Sequence, residues 1–291
     1  MFEKFYEFVN TPFSRTIPSK NLYKCNDSDE LIERLKYTAQ KQLFAVVIGD
    51  SGTGKTTTLR RFCDETLNDN YRTLYLSDSK MTPRTFYKSI LEQLGFEAKY
   101  HRNEAKRQLH KEIEIMKGMN GILPVAIVDE AHLLSKEMLE EIRFLLNFKM
   151  DSQSPHDFRF AKTRPKTWRA GIFRSLMALI LSGQTELWDK LKLQSYAAIR
   201  QRIDIPCILT RLDRSRTTEY ITAQLAFAGT DKELFTEAAI DEVFKFSSGI
   251  PRLINKACSE SLMFGAQNRK TILDDRMVKI VVEQELIGGV S

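Results

Sequence analysis

The sequence predicts an α/β fold, a five-stranded parallel sheet flanked by helices and followed by a small all-helical region. Three observations predict it. Short apolar runs alternate with helical stretches between residues 41 and 210, the pattern of strands buried on both faces of a parallel sheet. Strand patterning stops after Asp213, and only helical spacing continues. Between the first strand and the first helix of the alternating region, Gly49-Asp50-Ser51-Gly52-Thr53-Gly54-Lys55-Thr56 fills every fixed position of G-x-x-x-x-G-K-[ST].

In chain order, residues 1–40 form an aromatic-rich lead-in with Pro12-Phe13-Ser14 and Leu22-Tyr23 as packing points. Residues 43–48 are a buried strand that feeds the glycine loop. Glycines let successive N–H groups converge on a polyphosphate, and the following helix aims its positive end at the same anion. Lys55 reaches the β- and γ-phosphates, and Thr56 offers a hydroxyl to Mg²⁺. The set expected to bind ATP is therefore Gly49, Asp50, Ser51, Gly52, Thr53, Gly54, Lys55, Thr56 and Thr57. A second strand covers 73–77. A third, 124–129, runs into Asp129-Glu130-Ala131-His132. Asp129 is expected to hold Mg²⁺ through water, and Glu130 to polarise the water that attacks the γ-phosphate. His132 reads as a structural residue at a helix start. The strand 177–181 ends in Ser182-Gly183-Gln184. Either Ser182 or Gln184 is expected to sense the γ-phosphate; the alternative is a plain strand-to-helix turn. Arg200 and Arg202 precede the last strand, 203–208. A guanidinium there suits the γ-phosphate of a neighbouring subunit, the alternative being a solvated surface. Helices follow over Ser215–Phe227, Glu237–Phe246, Pro251–Ala266 and Asp274–Glu285. Gly249 ends one and Pro251 starts the next. Arg252 then sits at a helix N-terminus against the dipole preference, which points to work on an anion.

Composition bounds the class. The chain has 291 residues, 42% hydrophobic and 28% charged, as expected of a globular protein. Its longest apolar runs, such as Leu176–Leu181, fall far short of the roughly 20 residues of a membrane helix. The N-terminus is not a signal peptide, and Cys25, Cys63, Cys207 and Cys258 lack metal-ligand spacing. A cytoplasmic location with reduced thiols and no membrane is expected. The net charge of +6 is local: six basic residues face the single acid Asp157 between Pro155 and Ser175.

Together these motifs resemble the AAA+ ATPases, and within them the ExeA/TniB type, which includes helpers of DNA transposition and a secretion branch. The resemblance runs from Phe8-Val9-Asn10-Thr11-Pro12-Phe13-Ser14 through the glycine loop, Ile127–Leu134 and Leu181–Leu187 to Gly249–Asn255. It implies an AAA+ P-loop NTPase core over 41–210, a helical lid over 211–291, and a lead-in over 1–40 that packs on the nucleotide site. It also implies Mg²⁺-dependent ATP hydrolysis with Asp129 and Glu130 as the acid pair, Ser182 or Gln184 as first sensor, Arg202 or else Arg200 as arginine finger, and Arg252 as second sensor. Implied partners are duplex DNA, a transposase, and further copies of the chain in a ring or filament. Lys80 is the first DNA-contact candidate, with Lys99, His101 and Arg102 in the next loop. The chain departs from the family at 156–175, where about twenty residues rich in bases and aromatics intervene. Arg164, Lys166 and Arg169 there are candidates to grip DNA; the alternatives are an insertion without function and foreign sequence. Two other functions stand beside transposition. One is a secretion ATPase, whose usual membrane helix and peptidoglycan-binding domain are not expected here. The other is a nucleotide switch with little turnover.

Overall fold

The computed structural model describes residues 2–66, 70–78, 81–146 and 175–283. The strands β1 (Phe44–Ile48), β2 (Tyr71–Leu76), β3 (Leu123–Val128), β4 (Ala178–Gly183) and β5 (Ile205–Ile208) form one parallel sheet in the order β2-β3-β4-β1-β5. The described helices are α1 (Phe2–Phe5), α2 (Asn26–Lys41), α3 (Lys55–Thr66), α4 (Pro83–Gln93), α5 (Arg102–Asn120), α6 (Lys136–Leu146), α7 (Thr185–Lys192) and α8 (Ala197–Arg200). After β5 come α9 (Arg214–Phe227), α10 (Glu237–Ser247), α11 (Pro251–Gln267) and α12 (Asp275–Val281). None of the described helices is long and apolar enough to cross a membrane. The predicted α/β sheet with a helical C-terminal region is therefore present.

The chain divides into two compact units. One comprises residues 30–49 and 55–208; the other comprises 1–29, 50–54 and 209–291. In the first, β1 and β4 are buried along their whole length, and β3 everywhere but Leu123. Such uninterrupted apolar strands need helices on both faces. The edge strands β2 and β5 are partly exposed. Each strand is found within one or two residues of its expected limits. β4 runs on through Ser182 and Gly183 because they pair with Val47 and Ile48. β5 begins at Ile205, and just before it Asp204 bonds Phe44 twice, its N–H donating to the Phe44 carbonyl and its carboxylate accepting the Phe44 N–H, both at 2.9 Å.

Glu141 on α6 is a buried charge in this unit, accepting from the Tyr87 hydroxyl and Arg102 and lying 3.4 Å from Lys106. Burial pushes its carboxyl up, but Tyr87, Lys106 and Arg102 outweigh that and hold it below the usual range.

The helical unit collects Tyr6, Phe13, Ile221, Ile254, Leu262 and Val278 in one apolar cluster. The lead-in is sewn to it: Tyr6 donates to the Lys270 carbonyl at 2.9 Å, the Phe13 N–H to Gln224 Oε1 at 2.9 Å, and the Val9 N–H to the Ala228 carbonyl at 2.8 Å. The compact units thus cut the chain differently from the three sequential segments 1–40, 41–210 and 211–291. Residues 1–29 group with the helices because their aromatics are buried there, and the rest of α2 groups with the sheet.

The α10–α11 turn sets where α11 begins. Ser248 and Gly249 both have positive φ, 47° and 75°. A Cβ on Gly249 would lie 1.8 Å from the Leu212 carbonyl oxygen, and the Gly249 carbonyl accepts the Leu212 N–H at 2.9 Å. Gly249→Ala should therefore destabilise the protein by at least about 2 kcal/mol, read as a lower denaturant midpoint. An unchanged midpoint would mean that this close approach does not constrain the turn.

Candidate active site

The register of the sheet assembles the first half of the site. Val47 pairs with Ser182, Val128 with Leu181, and Leu76 with Val128. The C-terminal ends of β1 to β4 are thus level, and the loops after them converge. Lys55 opens α3 with a buried side chain whose amino group donates to the Gly49 carbonyl at 2.7 Å. Thr56 donates its hydroxyl to Asp129 Oδ2 at 2.8 Å. Tyr75 donates to the same oxygen at 2.5 Å. Its place follows from pairing: Tyr75 is level with Ile127, and Asp129, two residues on, falls on the same face of the sheet. The Glu130 N–H donates to Asp129 Oδ1 at 2.9 Å.

Burial raises the Asp129 carboxyl, but Tyr75, Thr56 and the Glu130 amide hold it below its ordinary value. The buried Ser182 hydroxyl adds to this without reaching hydrogen-bond distance. Burial and the facing Asp129 charge push the Tyr75 phenol up, so it stays a donor.

Glu130 adopts a left-handed backbone, φ 51° and ψ 33°, at a cost of about 1–2 kcal/mol for a residue with a Cβ. Its carboxylate is 46% exposed, and one oxygen lies 3.5 Å from His132 Nδ1. His132 Nε2 in turn lies 3.3 Å from the Gln184 amide nitrogen.

The helical unit holds the tip of the glycine loop. Gly52 has φ +85°, and a Cβ there would stand 2.9 Å from Arg252 Cβ and 3.0 Å from Ile250 Cγ2. The Arg252 N–H donates to the Gly52 carbonyl at 3.3 Å, and its guanidinium to Ser51 Oγ at 3.4 Å. Thr53 donates its hydroxyl to the Asp50 carbonyl at 2.9 Å. Arg211 pairs with Asp50 at 2.6 Å and offsets a carboxylate in a loop of N–H donors. Arg252 is therefore held at the loop tip.

Other predicted residues are placed differently. Thr57 is exposed in the first turn of α3. Arg200 and Arg202 bond carbonyls of their own chain, those of Lys192 and Ala198. Lys99 is exposed, with its N–H bonded to Gln108. Arg102 is not a free surface base, because it pairs with buried Glu141 and approaches Glu137 at 3.8 Å. Lys80, Arg164, Lys166 and Arg169, and the helix end at Glu285, lie outside the described residues. Sequence reasoning missed Tyr75, and it read His132 as a helix-start residue, which is where the turn Ala131–Leu133 places it. The signal for Tyr75 was its place at the end of a strand beside the acid-bearing one.

The donors fit a hard divalent cation shared with phosphate. They are oxygens only, a hydroxyl and an ionised carboxylate, as Mg²⁺ prefers when phosphates complete its shell. The first turn of α3 carries no acid, which leaves its positive end available to an anion.

Residues 38–164 match the AAA domain family. The chain is 27% identical over 267 residues to the general secretion pathway protein A of Aeromonas hydrophila, covering 90% of this chain and 44% of that protein. It therefore spans less than half the length of that relative. Among solved structures, Cdc6p from Pyrobaculum aerophilum is similar with a TM-score of 0.63 at 14% identity, over 90% of this chain and 67% of that one. The Drosophila ORC bound to DNA is similar with a TM-score of 0.64 at 17% identity, over 97% and 65%.

Tyr75→Phe removes one donor from a buried carboxylate and should cost about 1–2 kcal/mol at pH 7. The folded pKa of Asp129 lies below its unfolded value. This stabilisation is thus present above the ordinary Asp value of about 4 and lost as pH falls through the folded one. Denaturant melts should show the gap between the two proteins closing in acid. A gap independent of pH would detach Tyr75 from the Asp129 charge.

Proposed function

We propose, from the premise that this chain carries an AAA domain on the AAA+ P-loop fold, that it is a magnesium-dependent ATP hydrolase working as an oligomer on duplex DNA. The observation that carries this reading is the contact of Thr56 Oγ1 with Asp129 Oδ2 at 2.8 Å, one residue from the buried Lys55. It joins the two sequence motifs, which lie 73 residues apart, into one phosphate-and-metal site.

Lys55, the loop N–H groups and the start of α3 hold the β- and γ-phosphates. Thr56 and Asp129 would hold the metal, which would polarise the phosphate oxygens when bound. Glu130 orients the attacking water and accepts its proton. Ser182 or Gln184 responds to the γ-phosphate, and Arg252 adds positive charge at the loop tip. Arg202 or Arg200 reaches the γ-phosphate of a neighbouring copy, which makes turnover depend on assembly.

The net charge of +6 supports a polyanionic partner, and a solved protein of similar fold is described as bound to DNA. The DNA contacts proposed are Lys80, Lys99, Arg164, Lys166 and Arg169. They act on phosphates and give strong salt dependence with little sequence choice. Target choice for a transposase is the role this best serves. The similarity to general secretion pathway protein A favours a second reading, a motor for secretion.

Glu130→Gln should bind ATP as the wild type does yet release phosphate at least about 100-fold more slowly. In the same assay, duplex DNA at low salt should accelerate the wild type. Unchanged turnover in the variant would remove the catalytic assignment. Hydrolysis indifferent to DNA, with no ATP-dependent cosedimentation, would remove the DNA reading and leave secretion.

A further inference from the structure

His132 is absorbed by none of the roles above, yet its ring lies between two of the groups that carry them. Its side chain is only 12% exposed. Nδ1 is 3.5 Å from Glu130 Oε2, and Nε2 is 3.3 Å from Gln184 Nε2. The backbone is built for this approach: a Cβ on Gly183 would stand 3.1 Å from the His132 nitrogen and 2.9 Å from Leu187 Cδ2. A side chain at 183 would press on the backbone of the turn Ala131–Leu133, so glycine eases this close approach.

The donors set a direction. An amide nitrogen only donates, so His132 Nε2 accepts, and a neutral ring then carries its proton on Nδ1. That N–H faces the Glu130 carboxylate across 3.5 Å without closing a hydrogen bond in this conformation. The opposite amide orientation would require a proton on Nε2 and would leave a bare Nδ1 lone pair against a carboxylate. The result is a path from Gln184 through His132 towards Glu130, hydrogen-bonded at the Gln184 end and in ion-pair range at the Glu130 end. It joins the residue after β4 to the acid after β3. Glu130 has few other restraints, since its side chain is half exposed.

We infer that His132 is a positioning residue that holds the Glu130 carboxylate and makes its orientation depend on Gln184. This rests on the hydrolase reading, in which Glu130 orients water and Gln184 is a candidate to meet the γ-phosphate. A phosphate that engages Gln184 alters the partner of Nε2, and the ring passes that change to Glu130 without moving the backbone.

The test is steady-state ATP hydrolysis with magnesium and duplex DNA, alongside nucleotide binding, for the full chain and four variants. His132→Ala should lower kcat about tenfold with KM and nucleotide affinity within twofold of wild type. His132→Asn places an amide N–H where Nδ1–H stood and should recover most of that loss. Gln184→Ala should lower kcat on its own, and the double variant His132→Ala/Gln184→Ala should lose clearly less than the product of the two single losses. Equal kcat in wild type and His132→Ala, losses that multiply in the double variant, or Asn as poor as Ala would each overturn the inference. Should His132→Ala fail to fold, a folded His132→Asn with wild-type KM and near-wild-type kcat still supports the inference, and a folded, slow one overturns it. No turnover in the unsubstituted chain would remove the hydrolase reading and this inference together; normal turnover indifferent to His132 would remove the inference alone.

Discussion

A buried carboxylate has to be met by donors, and Asp129 is met by three segments at once. Thr56 comes from the helix after β1, Tyr75 from β2, and the third donor is the backbone of Glu130. Leaving such a charge unpaired in a dry interior is costly enough to protonate it. The strand ends must therefore be level for the charge to persist. The parallel register of β1 to β4 supplies that, so the electrostatics of the site are a consequence of sheet pairing.

The glycine loop meets a different constraint. Its tip is held to the start of α11 by backbone approach, since Gly52 leaves no room for a side chain against Ile250 and Arg252. The start of α11 is in turn fixed by the contact of Gly249 with Leu212. Two positive-φ glycines, far apart in sequence, thus decide where one arginine stands. Asp50, the acid in the loop, is neutralised by Arg211 just after β5. The local charge remains suited to an anion.

Much of this was legible before any coordinates. Apolar runs bounded by turn residues located the strands, most clearly β1, β3 and β4, because a strand buried on both faces has few polar positions to blur it. The glycine loop and the acid pair were legible because their residue types are dictated by the chemistry. What was not legible depends on partners distant in the chain. Tyr75 reads as an ordinary edge-strand residue until pairing sets it beside Asp129, 54 residues later. His132 reads as a helix-start residue until Gln184, 52 residues on, closes against it. Arg102 reads as a loop base until buried Glu141 claims it. The lead-in announced its aromatics, but not that the helices after β5 bury them. Periodicity reports which face of an element is buried and says nothing of what covers it.

On the proposed function, Asp129 and Thr56 would hold a metal that ATP needs in order to bind beside Lys55. Calorimetric titration of ATP tests it most directly, with and without magnesium, for the wild type and Asp129→Asn. The account predicts saturable binding that tightens markedly with magnesium in the wild type, and loss of that magnesium dependence in the variant. Equal affinity with and without the metal in the wild type, or the same metal dependence in both proteins, would contradict it.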